Sequence, residues 1–252
     1  MKQRLLVVCA HPRDFVWRCG GTIAAYTANG GDALIISLSY GERGESGELW
    51  SQPGQTLDAV KSHRESEATK AARILDAAID FLDLGDYMLH VDNAAVEDLA
   101  RRYREFRPDV ILTHAARDPY NEDHAVAAQA ALRARAVAQA AGVMPELPVI
   151  GFPPIFAFEP HQADICDFKP DIYVDIDPHY ETKREAIACY MAPQIVVDYY
   201  EGLSLRRGAL ATHTSGATPP IRRAEAFQSY FPTVAERLPT YSRAINGLGD
   251  TE

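Results

Sequence analysis

The sequence predicts an α/β protein: a Rossmann-like, mostly parallel sheet with helices on both faces, in a single domain spanning residues 1–252. Three observations predict it. Apolar runs of strand length alternate with longer stretches of helical period. The alternation begins near residue 5 and persists past residue 170. Histidines and aspartates cluster just after the apolar runs, where the loops at the carboxyl edge of a parallel sheet converge.

Residues 5–10 are apolar throughout and read as the first strand, followed by a turn through Gly20-Gly21 and a helix over 17–28. Strand 33–39 precedes a helix over 62–77, strand 79–84 precedes a helix over 96–106, and strand 110–113 precedes an alanine-rich helix over 123–140. Alanine's high helix propensity supports the last of these. Strands follow at 155–158 and 172–176. From about residue 192 the pattern is less regular. Residues 178–190 read as helical, Ala192-Pro193 interrupts, and 196–205 resumes. Thr, Ser, Gly and Pro dominate 212–220 and mark a loop before a short helix at 224–230. No internal repeat or low-complexity linker divides the chain.

With 252 residues the chain can bury a sizeable core. Its formal charge of -10 disfavours nucleic acid and anionic membranes, both of which need a broad cationic surface. No apolar run reaches membrane-spanning length, and the N-terminus enters a strand without the zones of a secretory signal, so a cytoplasmic protein is expected. Cys9, Cys19, Cys166 and Cys189 form no CxxC pair, which points to free thiols.

Function is written in two loops. His11 and Asp14 lie three residues apart after the first strand, and His124 opens the alanine-rich helix after the strand at 110–113. A parallel sheet brings both loops to one rim. Two imidazoles and a carboxylate leave coordination positions free, as a catalytic zinc requires. The plainer alternative is that Asp14 and Asp123 serve as helix-start and N-cap residues and need no metal. His114 ends a strand beside these loops, where it can orient a ligand through a hydrogen bond. Arg13, Arg18, Arg43 and Arg117 gather in or beside the same loops, so an otherwise acidic chain concentrates positive charge there, which favours an anionic, carboxylate-bearing small molecule.

The strand-His-Pro-x-Asp turn, Gly20-Gly21 and the later Asp123-His124 before a helix resemble the LmbE-like or PIG-L deacetylases, which use zinc to remove acetyl groups from amino sugars. The resemblance spans most of the chain and implies the LmbE-like fold, with His11, Asp14 and His124 as zinc ligands. The family's first motif usually reads Ala-His-Pro-Asp-Asp-Glu, its first aspartate acting as general base. Here the segment is Ala10-His11-Pro12-Arg13-Asp14-Phe15. A guanidinium cannot accept a proton near neutral pH, so the usual deacetylation lacks its base. Asn121-Glu122-Asp123-His124 also stands where His-Pro-Asp-His is typical.

Four further stretches, Asp14-Phe15-Val16-Trp17-Arg18, the run from Leu38 to Ser46, Asp118-Pro119-Tyr120-Asn121 and the run from Ala157 to Gln162, are similar to the 4-oxalomesaconate hydratases of gallate breakdown, a zinc-dependent offshoot of the deacetylase fold. This resemblance implies water addition to the carbon–carbon double bond of an unsaturated oxo-tricarboxylate. A zinc N-deacetylase is the alternative. For the hydration, the resemblance implies Glu45 as base and His161 as acid, a pairing the chemistry supports. Arg13, Arg18, Arg43, Arg117, Tyr120 and Asn121 are the expected substrate-binding residues, with Arg13 able to pair with a substrate carboxylate or with Glu45. Family habit and apolar surface helices also suggest a homo-oligomer.

Overall fold

A computed structural model describes residues 2–234. Seven strands form one sheet: β1 (Arg4–Cys9), β2 (Asp32–Ser37), β3 (Ala78–Phe81), β4 (Val110–Thr113), β5 (Ile155–Phe158), β6 (Ile172–Asp175) and β7 (Ala224–Ser229). Their order is β3-β2-β1-β4-β5-β7-β6. All neighbouring pairs from β3 to β5 are parallel, whereas β7 runs antiparallel to both β5 and β6.

The helices are α1 (Asp14–Ala28), α2 (Gly47–Trp50), α3 (Leu57–Ile74), α4 (Asn93–Phe106), α5 (Glu122–Gln139), α6 (Tyr180–Ile187) and α7 (Gln194–Ser215). Central strand β1 explains its own composition. Leu5, Val7 and Cys9 face a core formed with α1, α3, α6 and α7, and the alternate residues Leu6, Val8 and Ala10 face a second core formed with α4 and α5. A strand covered on both sides is apolar at every position. The alanines of α5 serve close packing, since Ala127, Ala131, Ala134 and Ala138 are buried without any exposure.

Two expectations are corrected. The helix expected at 224–230 is instead strand β7, Ala224–Ser229. Local propensity favoured a helix, but Phe227 pairs with Phe158 of β5 and with Ile172 of β6, so hydrogen bonding to neighbours on both sides overrides it. The loop expected from residue 212 begins only after Ser215. The hydroxyls of Thr212, Thr214 and Ser215 donate to the carbonyls of Gly208, Leu210 and Ala211 at 2.8–3.0 Å and are satisfied inside the helix. Gly216, at φ 67°, then closes α7 in a left-handed cap.

The chain leaves β1 for β2 and β3 on one side of the sheet and for β4 and β5 on the other. The crevice beyond the carboxyl ends of β1 and β4 is therefore a topological switch point, where ligands of open α/β sheets bind. At the far side, α7 crosses the backbone leading into β7 so closely that a Cβ on Gly208 would lie 2.2 Å from the Arg222 carbonyl oxygen. Backbone cannot yield as a flexible side chain can. Gly208→Ala is expected to lower unfolding free energy by about 1–3 kcal/mol or more in urea titration; full wild-type stability would contradict this packing.

Candidate metal centre and cleft

His11 ends the β1 turn, Asp14 begins α1 and His124 lies in the first turn of α5; all three are buried. One ligand atom from each lies within 4.8 Å of the others, a spacing that lets them share one cation. Carboxylates fix both imidazoles from behind. Asp118 Oδ2 lies 2.8 Å from His124 Nδ1, which turns Nε2 towards Asp14 Oδ1 at 3.6 Å. Asp123 Oδ2 lies 3.2 Å from His11 Nε2, which leaves His11 Nδ1 facing Asp14 Oδ2 at 3.5 Å. That Nδ1 is buried with no hydrogen-bond partner. A stranded buried nitrogen, a neighbouring carboxylate and a second oriented imidazole fit a zinc-type ion.

The same contacts set the charges. Burial disfavours charge on His11, yet its bond to Asp123 and the neighbouring Asp14 carboxylate outweigh burial and raise its pKa to about 10. Burial, reinforced by His114, pushes His124 down to about 3 and keeps a lone pair available. Burial opposes ionisation of Asp14 too, but His114, His124 and His11 hold its carboxyl well below the usual range. The pocket thus draws in positive charge. His114 supports it from below: its ring stacks on His124 with centroids 4.2 Å apart, and Nε2 accepts from the Ala10 backbone N–H at 2.9 Å.

A cleft of about 350 Å³ opens over Asp14 and His124, and Arg13, Arg18, Glu45, Tyr120, Asn121 and His161 all line it. Glu45 lies in a 3-10 turn (Gly44–Ser46) after β2, and Asn121 Nδ2 donates to its Oε1 at 3.1 Å. Arg18 Nε donates to Asp14 Oδ1 at 3.1 Å and Nη1 to the Glu159 carbonyl at 2.9 Å. Arg13 pairs with Glu48 at 2.9 Å, and not with Glu45 as one expectation had it. His161 is sandwiched between the rings of Tyr120 and Tyr199. Burial, helped by the Arg18 charge, lowers its pKa.

Two expected residues are not brought to the cleft. Arg117 is an exposed side chain held by Asp167 and the Ile165 carbonyl. Arg43 turns away to the loop after β3, where its guanidinium meets Gly85 and the Asp86 carbonyl. Their loops were located correctly, but a loop position does not fix the side chain's direction. Conversely, Asp118 and Asp123 emerge as the groups that orient the histidines, and Tyr87 adds a wall that sequence reasoning missed. The signal for the aspartates was their place in the loop of His124; nothing local marks Tyr87.

Residues 6–135 match the model of the GlcNAc-PI de-N-acetylase family, PIG-L. The chain is also 43% identical over 235 residues to the 4-oxalmesaconate hydratase of Pseudomonas putida strain KT2440, covering 92% of this chain and 91% of that protein. The chain belongs to the PIG-L family. Within this PIG-L fold, the crystal structure of GalB, the 4-carboxy-2-hydroxymuconate hydratase from P. putida KT2440, aligns with a TM-score of 0.92 at 41% identity, over 95% of this chain and 100% of that one. The N,N'-diacetylchitobiose deacetylase of Pyrococcus horikoshii shares the PIG-L fold at a TM-score of 0.72 and 22% identity, over 90% and 83% of the two chains.

Asp118→Asn is expected to weaken zinc binding by about 10- to 100-fold, because the amide holds the His124 imidazole less firmly as a ligand. Competition against a chromogenic chelator measures this, and unchanged affinity would contradict the orienting role.

Proposed function

We propose that this PIG-L chain is a zinc-dependent hydro-lyase that adds water to the double bond of 4-oxalomesaconate, or 4-carboxy-2-hydroxymuconate in its enol form, giving 4-carboxy-4-hydroxy-2-oxoadipate. The observation that carries the proposal is the match along nearly the whole chain to a hydratase, combined with a site in which arginine stands at the deacetylase base position. A role in gallate and related aromatic-acid breakdown, in the cytoplasm and as a homo-oligomer, belongs to the same proposal. Among the described residues no helix is long and apolar enough to cross a membrane.

His11, Asp14 and His124 would hold the zinc, which would supply Lewis-acid stabilisation of developing negative charge. The remaining work falls to side chains. Glu45 takes a proton from the attacking water, with the Asn121 amide fixing one carboxylate oxygen. His161 delivers a proton to the neighbouring carbon. Burial and the Arg18 charge lower its pKa in the free enzyme. A bound tricarboxylate brings opposite charge and favours the imidazolium, the form that can donate. Arg13, Arg18 and Tyr120 on the cleft wall hold the carboxylates in register.

Zinc-loaded protein is expected to bleach the conjugated absorbance of the unsaturated tricarboxylate and to release no acetate from N-acetyl sugars. Glu45→Gln and His161→Ala should each lower kcat by about 100-fold or more while retaining zinc. Acetate release without hydration would overturn the proposal in favour of a deacetylase. Full hydration rates in both variants would overturn the proton-transfer roles.

A further inference from the structure

Arg64 of α3 has no exposed surface, although burying a guanidinium is costly unless every donor is met. The chemistry above gives it no task. Its donors nevertheless fan out onto the loop that carries Glu45. Nε donates to Ser46 Oγ at 2.8 Å, and Nη2 donates to the Glu45 carbonyl at 3.3 Å and to Glu48 Oε1 at 2.8 Å. Nη1 is anchored on Glu67 Oε2 at 2.6 Å, one turn further along α3. The same Glu48 oxygen receives Arg13 at 2.9 Å. Ser46 Oγ in turn donates to the Gly41 carbonyl at 2.6 Å. Gly41, at φ 63°, sits where an added Cβ would crowd Glu45, Pro12 and His11 within 3.2–3.6 Å. One buried cation therefore ties the Glu45 loop to Arg13 and presses it against the metal turn.

We propose that Arg64 is a positioning residue of this site: it holds Glu45 and, through Glu48, Arg13 in the single arrangement that chemistry requires. The inference rests on the reading of Glu45 as proton acceptor. A buried ion pair contributes little net stability compared with an apolar replacement, so retaining one fits a role in fixing geometry. Lysine offers a point charge in place of a fork and cannot serve Ser46, Glu67 and Glu48 together.

Hydrogen exchange and kinetics on the zinc-loaded full chain test this. In Arg64→Met, amides of residues 44–50 should exchange at least about tenfold faster while those of α4 and α5 are unchanged, the mark of a local opening. Hydration kcat should fall by about 100-fold, with KM altered much less, as a small displacement of a reacting group costs. Added to Glu45→Gln, Arg64→Met should lower kcat by less than about threefold more, because in the chemical step both act through one carboxylate, while the Arg13 contact through Glu48 shows in KM. Arg64→Lys should recover only part of the rate. Ser46→Ala removes one acceptor while keeping the Arg64–Glu67 pair, and should change exchange and kcat in the same direction by smaller factors; it decides the matter if Arg64→Met does not fold. Unchanged exchange at 44–50, or losses that multiply with Glu45→Gln, would overturn the assignment. If the unaltered protein does not hydrate the tricarboxylate, the hydratase reading falls, and the exchange result alone decides whether Arg64 holds the loop.

Discussion

Two carboxylate–imidazole contacts, Asp118 to His124 and Asp123 to His11, fix the orientation on which the rest of the site depends. Each occupies the ring nitrogen facing away from Asp14 and thereby aims the other inward. Without them the buried rings would have other rotamers and tautomers to choose from, and three ligands from two distant loops would not converge. The aspartates are themselves fixed. Asp118 Oδ1 accepts from the backbone N–H of Tyr120 at 3.1 Å, and Asp123 accepts from Tyr87 and Leu89 at 2.6 and 3.0 Å. The backbone of the α5 entry and of the loop after β3 is thus part of the candidate metal site's geometry.

That loop pays for its place in strain. Tyr87 and Met88 both adopt positive φ, at 52° and 106°, a conformation L-residues rarely adopt. The Asp123 carboxylate below and the Asp86 carboxylate, which accepts from the Arg43 and Gly44 N–H groups at 2.8 Å, hold the turn in this form. The gain is a Tyr87 ring laid across Gly44, forming a wall of the cleft beside Glu45. A Cβ at position 44 would sit 1.8 Å from that ring, so this placement of Tyr87 relies on glycine there.

Much of this was legible in the sequence because the strongest signals are local. Strand β1 declared itself by an unbroken apolar run, so the fold class followed, and His11, Asp14 and His124 stood out as candidate ligands by their place in or just after the loops that follow strands. Three kinds of information were not local. Strand β7 depends on neighbours about 70 and 50 residues away in sequence, which turn a helix-favouring segment into a strand. The directions of Arg43 and Arg117 depend on Asp86, Gly85 and Asp167, residues without any sequence cue linking them. Arg64 lies on a helix whose charged composition suggests a solvated face, and only the structure reveals its guanidinium under the Glu45 loop. Family resemblance supplied the roles proposed for Glu45 and His161, which residue types alone left open.

Anomalous diffraction at the zinc edge, on crystals grown with stoichiometric zinc, tests the central claim most directly. The account predicts one strong peak bounded by the side chains of His11, Asp14 and His124, on the cleft side that Glu45 and His161 line. A peak held by other residues, or density showing His11 and His124 turned away from Asp14 with zinc present, would contradict it.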